Sequence, residues 1–187
     1  MILSSFLPFN TLTELISDHL FTAFSTLPTL TNCFYATFLL FIYGLIAISL
    51  GFWFNFLQLD LKFSQEKFIK ITVTSLVSPA ILEELFFRAF LLPCSAEKMQ
   101  LSNVFTWSII SLLLFVFYHP LNGITFFPAG RDVFFNPIFL CLAALLGLVC
   151  TVVYLQSGSI WLPIVIHWLT VVIWLLYLGG INKFKIS

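Results

Sequence analysis

The chain alternates between long apolar runs and short polar connections. A helix needs about 20 apolar residues to cross a bilayer, and five runs approach or exceed that length. They cover residues 33–57, 71–92, 104–120, 137–155 and 160–178. The pattern predicts a polytopic helical bundle of about five membrane spans.

The N-terminal residues show a different pattern. Apolar residues recur every four positions between about residues 11 and 24, at Leu12, Ile16, Leu20 and Phe24. This spacing favours an amphipathic helix that lies at the membrane surface. We interpret residues 58–70 as an interfacial connection and residues 121–136 as a loop that is too polar to span. The Phe residues of this loop indicate that it lies against the membrane.

Small residues form stripes on two of the predicted spans. They are Gly44, Ala47 and Gly51 in the first span and Ala143 and Gly147 in the fourth. Such stripes let helices approach closely in a membrane, so we predict tight packing at both. Cys141 and Cys150 are predicted to be small core residues, because no CxxC motif indicates a redox pair or a zinc site.

Composition agrees with a membrane location. Of the 187 residues, 60% are hydrophobic and 9% are charged, whereas soluble domains have about 25% charged residues. The net charge is zero and no basic tract indicates a nucleic-acid partner. The sequence therefore predicts an all-α, multi-pass protein of the cell membrane, surrounded by the lipid bilayer and folded as a single domain over residues 1–187.

Basic residues are distributed unevenly between the predicted connections. One side of the membrane holds six of the eight: Lys62, Lys67, Lys70, Arg131, Lys183 and Lys185. Lys98 lies on the other side, and Arg88 lies within a span. Because connections rich in Lys and Arg stay in the cytoplasm, the C-terminus is predicted to be cytoplasmic and the N-terminus to lie outside.

Three ionisable side chains interrupt the second run, at Glu83, Glu84 and Arg88. Each costs about 2.5 to 3.5 kcal/mol near the membrane centre when it is unpaired. This segment is therefore predicted to lie inside the bundle, where its charges face protein or water. Intramembrane charges of this kind are candidates for function.

The sequence spacing of these three residues indicates different roles for them. Glu84 and Arg88 are four residues apart on one helix face, in the order that favours an ion pair. Glu83 points about 100° away and is the candidate base or acid. Pro79 precedes Glu83 by one turn and is predicted to kink or open the helix. The alternative is a purely structural pair that fixes helix register.

Two histidines complete the pattern. His119 ends the third run, one turn after Phe115, and His167 lies inside the fifth. The motifs read Glu83-Glu84-Leu85-Phe86-Phe87-Arg88, then Phe115-Val116-Phe117-Tyr118-His119, then Gly158-Ser159-Ile160-Trp161-Leu162-Pro163 leading to His167. Together they resemble the CAAX prenyl protease and bacteriocin-processing family of intramembrane proteases, also called CPBP or Abi. The resemblance covers a protease core of about residues 71–178, and residues 1–57 lie outside it.

The resemblance implies an intramembrane endopeptidase that hydrolyses a peptide bond in a membrane-associated protein or peptide. It implies that Glu83 is the general base, and that His119 and His167 position water and stabilise the oxyanion. Zinc held by these three residues is the alternative. Because the sequence has no HExxH motif, we favour glutamate chemistry without a metal or other cofactor.

One position departs from the family pattern. The last family motif reads His, three residues, then Asn or Asp, but Val171 stands at that place here. Asn122 follows His119 by three residues and shares its helix face if the third span continues past Pro120. It is the candidate replacement, and an ordinary Asn-Gly turn is the alternative. The candidate catalytic residues are Glu83, Glu84, His119 and His167, with Arg88, Phe115 and Asn122 in support.

The predicted spans place the two histidines at different depths. His119 lies near the cytoplasmic end of its run, whereas His167 lies only seven residues in from the outer end of the fifth. The two can meet only if the third span extends past Pro120, or if the fifth starts earlier or tilts.

Two other functions stay open. A non-catalytic membrane scaffold or immunity protein fits the departure at Val171. A proton-coupled transporter subunit also keeps Glu and His inside a bundle, although the sequence has no inverted repeat typical of transporters. The sequence does not distinguish a prenylated C-terminus from a leader peptide or another membrane protein as substrate.

Overall fold

The computed structural model describes residues 9–92 and 100–184, with only the backbone described for residues 9–16. Within these ranges the regular structure is entirely helical. The helices are α1 (Phe9–Ser25), α2 (Leu30–Trp53), α3 (Gln65–Ser75), α4 (Leu76–Ile81, Leu82–Glu84 and Leu85–Phe90), α5 (Leu101–Ile124), α6 (Arg131–Phe134), α7 (Pro137–Ser157) and α8 (Trp161–Tyr177). Single 3₁₀ turns lie at Pro128–Gly130 and Ile181–Lys183.

Among the described residues, three helices are long and apolar enough to cross a bilayer, namely α2, α5 and α7. The apolar α8 is shorter, at 17 residues. Large hydrophobic side chains on the outer surface, such as Phe34 and Phe38 of α2 and Phe117 of α5, are more than half exposed. In a bilayer these faces contact lipid tails, so the chain is an integral membrane protein, as predicted.

The second predicted span is not one regular helix. After α3, Ser78 leaves helical geometry, with φ −135° and ψ 118°. The chain resumes at Pro79, and α4 is wound largely as π-helical turns around the short α-helical stretch Leu82–Glu84. The predicted break at Pro79 is confirmed. Irregular winding of this kind is typical of functional segments.

Helix α7 lies at the centre and packs against α2, α5 and α8. The predicted small-residue contact on α7 is confirmed, because a Cβ at Gly147 would lie 2.9 Å from the side chains of Leu112 and Phe115 on α5. On another side of α7, Leu146, Cys150 and Val153 belong to a buried cluster shared with α2.

Two predictions about small residues were wrong. Cys141 is exposed, because it lies about 200° around α7 from Ala143, which faces the core. On α2, no atom lies within 4 Å of a Cβ built on Gly44, which faces a cavity instead of a neighbouring helix. Ala47 and Cys150 are buried as expected.

The third span is longer than predicted. Helix α5 passes through Pro120 and ends at Ile124. Of the predicted loop 121–136, the first turn is therefore helical, and the rest contains the Pro128–Gly130 turn and α6. A Pro removes one backbone hydrogen bond but does not end a helix that neighbouring elements support in a membrane. His119 thus lies inside a helix and not at its end.

The two ends of the bundle are joined by different contacts. At one end, the Ile160 N–H donates to the Ala23 carbonyl (3.1 Å) and Trp161 Nε1 donates to the Phe24 carbonyl (2.9 Å), which packs the predicted N-terminal helix onto the start of α8. That this helix lies at the membrane surface stays a prediction.

At the other end, the connection after α2 meets the C-terminal segment. Asn182 Nδ2 donates to Asp60 Oδ2 at 2.6 Å, and the Asp60 N–H donates to the Tyr177 carbonyl at 3.0 Å. The Lys62 backbone N–H and then Asn182 lower the pKa of Asp60. Phe184 packs against Phe127, which brings the loop before α7 to the same end. The connections predicted to carry most of the basic residues therefore share one end of the bundle; Lys98 and Lys185 lie outside the described residues.

Candidate active site

A cavity of about 820 Å³ lies between α2, α4, α5, α7 and α8. Most of its wall is apolar, from side chains such as Leu40, Phe139 and Leu146. Four polar residues predicted for the site line it: Glu83, His119, Asn122 and His167. The cavity thus joins, within the bundle, residues that lie up to 84 positions apart in the sequence.

Three helices place these four side chains. Glu83 lies in the α-helical stretch that follows the Pro79 break. His119 and Asn122 lie on one face of α5, because that helix continues past Pro120. His167 lies one turn after Pro163 on α8. The longer α5 removes the difference in depth that the predicted boundaries implied.

Behind the cavity wall, Glu84 joins two partners. Its Oε2 lies 3.1 Å from Arg88 Nε, and its Oε1 lies 2.7 Å from His167 Nδ1. Glu84 and Arg88 are fully buried. Because the guanidinium holds the carboxylate as an acceptor, we assign the Nδ1 proton of His167 to this bond. The predicted Glu84–Arg88 pair is confirmed, and it also orients the His167 ring.

Arg88 is held from two further sides. Its Nη2 donates to the Gly147 carbonyl of α7 at 2.9 Å. Its guanidinium carbon lies 4.6 Å from the centre of the Phe115 ring, a distance at which a cation is attracted to an aromatic face. Arg88 therefore joins α4 to α5 and α7, and its guanidinium packs on the Phe115 ring.

The side chains that face the cavity make fewer hydrogen bonds than Glu84 and Arg88 behind it. Glu83 Oε2 lies 3.9 Å from His167 Nε2, which is too far for a direct hydrogen bond. His119 Nδ1 lies 2.9 Å from the Phe115 carbonyl. A carbonyl oxygen only accepts, so this nitrogen carries the proton and Nε2 is the free nitrogen of the neutral ring. Glu83 is 8% exposed and is free to contact a bound molecule.

Sequence reasoning missed two contacts in this network. It assigned His167 to positioning water and stabilising the oxyanion, whereas the ring also bonds Glu84. It interpreted Gly147 only as a packing residue, whereas its carbonyl accepts from Arg88. The small-residue stripe indicated where α7 is approached closely, but no local pattern identifies a polar group on its neighbour.

Comparison with known protein families adds a second line of support. A family model described as "Type II CAAX prenyl endopeptidase Rce1-like" matches residues 65–173, which is more than half of the chain. The chain belongs to this family. The searches of curated proteins and of solved structures found no match.

Membership of the Rce1-like family identifies the chain as a protease of the CAAX type. The matched residues begin with α3 and end within α8, so they include every candidate site residue and Val171. Val171 also lines the cavity. The residue that departs from the family pattern is therefore part of the cavity wall of this Rce1-like chain.

Zinc binding is the alternative for the site, and it requires a group of side chains that could hold the metal ion. Within residues 9–92 and 100–184, no three His, Cys, Asp or Glu side chains are grouped so that they could hold a metal ion. The Nδ1 atoms of His119 and His167 are already bonded to protein acceptors. These bonds leave both Nε2 atoms free, as in many metal sites, so the absence of a metal stays a prediction and no chemical step is derived through one.

The Glu84→Gln variant is expected to be less stable than the wild type by about 3 kcal/mol or more, because it leaves the fully buried Arg88 guanidinium without its counter-charge. Thermal unfolding in detergent micelles measures the change, with Glu66→Gln on the exposed side of α3 as the control. A Glu84→Gln protein that unfolds at the wild-type temperature but has lost activity would transfer the chemical role to Glu84.

Proposed function

We propose that this Rce1-like chain is an intramembrane glutamic endopeptidase of the CAAX-processing and bacteriocin-processing type. The observation that carries the proposal is the cavity inside the bundle, where Glu83, His119 and His167 line one space. A carboxylate near two imidazoles is a set of groups suited to general acid–base catalysis. The proposed location is the cell membrane.

In the proposed reaction, Glu83 takes a proton from a water molecule in the cavity. The water oxygen bonds to the carbonyl carbon of the scissile peptide, and the carbonyl electron pair moves onto oxygen. When that pair returns, the carbon–nitrogen bond breaks and the amine leaves with the proton from Glu83. The products are a carboxylic acid and an amine, so atoms and charges balance without a metal.

The histidines have separate tasks in this proposal. His167 is held by Glu84 through Nδ1, and its Nε2 faces Glu83, which suits it to orient the attacking water. His119 reaches the cavity beside Phe139, 5.2 Å between ring centres. Its free Nε2 is an acceptor in the neutral ring and suits it to position water, and the side-chain amide of Asn122, which lines the same cavity, is the donor proposed for the developing oxyanion.

The apolar wall favours a substrate with a large hydrophobic part, and the family description names a CAAX prenyl endopeptidase. We therefore propose a prenylated C-terminal peptide as the first substrate to test. Purified protein in liposomes should cleave the prenylated peptide and leave the same peptide without its prenyl group largely intact. Mass spectrometry of the products measures both reactions.

The same assay separates the alternatives. Cleavage of both peptides at equal rates would support a leader peptide or another membrane protein as substrate. Stoichiometric zinc in active protein that disappears in His119→Ala would replace the metal-free chemistry. A chain that cleaves neither these peptides nor any peptide in its own membranes would be a scaffold or immunity protein, the function that Val171 favours.

The C-terminus is proposed to be cytoplasmic. The connections that carry Lys62 and Arg131 lie at the same end of the bundle as Lys183, and such ends stay in the cytoplasm. Two reporters are fused in turn after residue 187, one active only in the cytoplasm and one active only outside. The cytoplasmic reporter should be active and the other inactive. The reverse result would invert the orientation.

A further inference from the structure

Gly44 lies in the middle of α2, where helix packing gives no reason for a glycine. Two other glycines of the bundle are closely packed: a Cβ at Gly51 would lie 2.4 Å from the Leu57 side chain, and a Cβ at Gly147 would lie 2.9 Å from Leu112. By contrast, no helix that the structure describes comes within 4 Å of a Cβ built at Gly44. Because glycine destabilises a helix interior relative to alanine, the packing of the fold does not explain this residue.

The empty space beside Gly44 belongs to the active-site cavity, since Gly44 lines it. The direction of a Cβ follows from the backbone alone, so this space does not depend on a side-chain rotamer. Leu40, Ala47 and Ile48, each about one turn from Gly44 or less, also line the cavity and carry only hydrocarbon side chains. Tyr43 lines it too, but is buried in the hydrophobic cluster shared with α7. This part of the cavity therefore suits an apolar group.

Gly44 also lies between the buried face and the lipid-exposed face of α2. Ala47, about 60° to one side around the helix, is 8% exposed, and Ile48, about 40° to the other side, is 46% exposed. Both line the cavity, so the cavity reaches from the core to the bilayer-facing side of α2. An apolar chain attached to a peptide at Glu83 can therefore extend past Gly44 toward the lipid.

The family match does not include α2. The matched residues are 65–173, and α2 ends at Trp53. The proposed reacting groups lie on α4, α5 and α8, whereas α2 closes the cavity from another side with mostly apolar side chains. The role of α2 in the site is therefore inferred from the structure and not from the match.

We propose that Gly44 determines how large a prenyl group the cavity accepts, because its missing side chain leaves room for that group beside α2. The inference rests on the proposed peptidase function and adds a residue that limits the size of the substrate. The prenyl group is the expected occupant, since the wall around Gly44 is hydrocarbon and the family description names a CAAX prenyl endopeptidase. Gly44 is a specificity-determining residue and takes no part in proton transfer.

The experiment measures binding of one peptide that carries a geranyl, farnesyl or geranylgeranyl group, in order of increasing length. It uses the Glu83→Gln protein, so that the peptide stays intact, with and without Gly44→Leu. One methylene group in an apolar pocket changes discrimination about 10-fold or more, so Gly44→Leu should raise Kd at least about 10-fold for the geranylgeranyl peptide and less than about twofold for the geranyl peptide. The farnesyl peptide should lie between them.

The chain offers two controls. Ser49→Leu adds a larger side chain to the same helix, but Ser49 is exposed, lies about 140° around α2 from Gly44 and is outside the cavity lining. It should leave Kd unchanged for all three peptides. Gly44→Ala controls for folding. Its unfolding temperature should not fall, because a Cβ at this position meets no neighbouring helix and alanine favours the helix.

Two further measurements distinguish a limit on size from a general distortion of the site. Ile48→Ala, one turn after Gly44 on the cavity wall, should restore part of the affinity of Gly44→Leu for the geranylgeranyl peptide, because it returns room beside the new side chain. With Glu83 intact, Gly44→Leu should raise KM for this peptide with little change in kcat, as expected for a contact away from the reacting groups.

The outcomes separate the role of Gly44 from the proposed function. Cleavage by the wild type, together with a Kd change in Gly44→Leu that is absent or equal for the three peptides, would overturn the size limit and leave the peptidase. A lower unfolding temperature for Gly44→Ala would assign the glycine to packing and also overturn it. Binding that depends on chain length and on Gly44, without cleavage by the wild type, would support the size limit and contradict the peptidase.

Discussion

The Glu83→Gln variant is expected to lose about 100-fold to 10,000-fold of the cleavage rate and to keep its fold. Removing a general base has an effect of this size. Gln keeps the shape of Glu but cannot take a proton from water. Stability should change little, because Glu83 lines the cavity and its Oε2 lies 3.9 Å from His167 Nε2, too far for a direct hydrogen bond. Single-turnover cleavage of the prenylated peptide measures the rate, and thermal unfolding measures the fold.

The neighbouring carboxylate provides the control. Glu84 is bonded to both Arg88 and His167, so Glu84→Gln should lose activity together with stability, whereas Glu83→Gln loses activity alone. Retained cleavage in Glu83→Gln would remove Glu83 from the chemistry. If a folded Glu84→Gln protein were then inactive, Glu84 would be the base and Glu83 a residue of the cavity wall.

Much of the fold follows from the order of apolar and polar residues. Long apolar runs predicted α2, α5 and α7, since only a helix satisfies its own backbone inside a membrane. The break at Pro79 and the Glu84–Arg88 pair were also predictable, because both depend on groups within one turn of each other. Local physics was sufficient for these features.

Features that depend on distant partners were not predictable. The exposure of Cys141 and the open space beside Gly44 depend on which face of a helix meets a neighbour. A span that is apolar all round carries little information about its buried face. In the same way, nothing near His167 in the sequence indicates that its ring bonds Glu84, 83 positions earlier.

The end of α5 was also predicted wrongly from the sequence. Pro120 predicted the end of the third span because Pro ends many helices. The helix instead continues to Ile124, and Gly123 within this last turn packs closely against Arg131 and Phe134. This tertiary contact outweighs the one hydrogen bond that Pro120 removes. Because the helix continues, Asn122 lies on the cavity wall and not in a turn.

The Asn122→Ala variant is expected to lose about 100-fold to 1,000-fold in cleavage rate, the cost of one oxyanion donor. Asn122 lies one turn after His119 on α5 and lines the same cavity as Glu83. Its backbone carbonyl accepts from the N–H groups of Phe126 and Phe127, and Ala keeps these bonds. The fold should therefore be preserved, and Asn103→Ala, on the exposed start of α5, is the matched control.

Val171 provides the reciprocal test, since it lines the cavity from α8 without a polar group. If Asn122 supplies the amide that position 171 lacks, Val171→Asn should partly restore cleavage in the Asn122→Ala background. The double variant is compared with each single variant under single-turnover conditions, where binding and chemistry separate. Normal cleavage by Asn122→Ala would assign the donor to another group. If the wild type never cleaves but the Val171→Asn variant does, the chain is an inactive protease that has kept the fold and the cavity of its family.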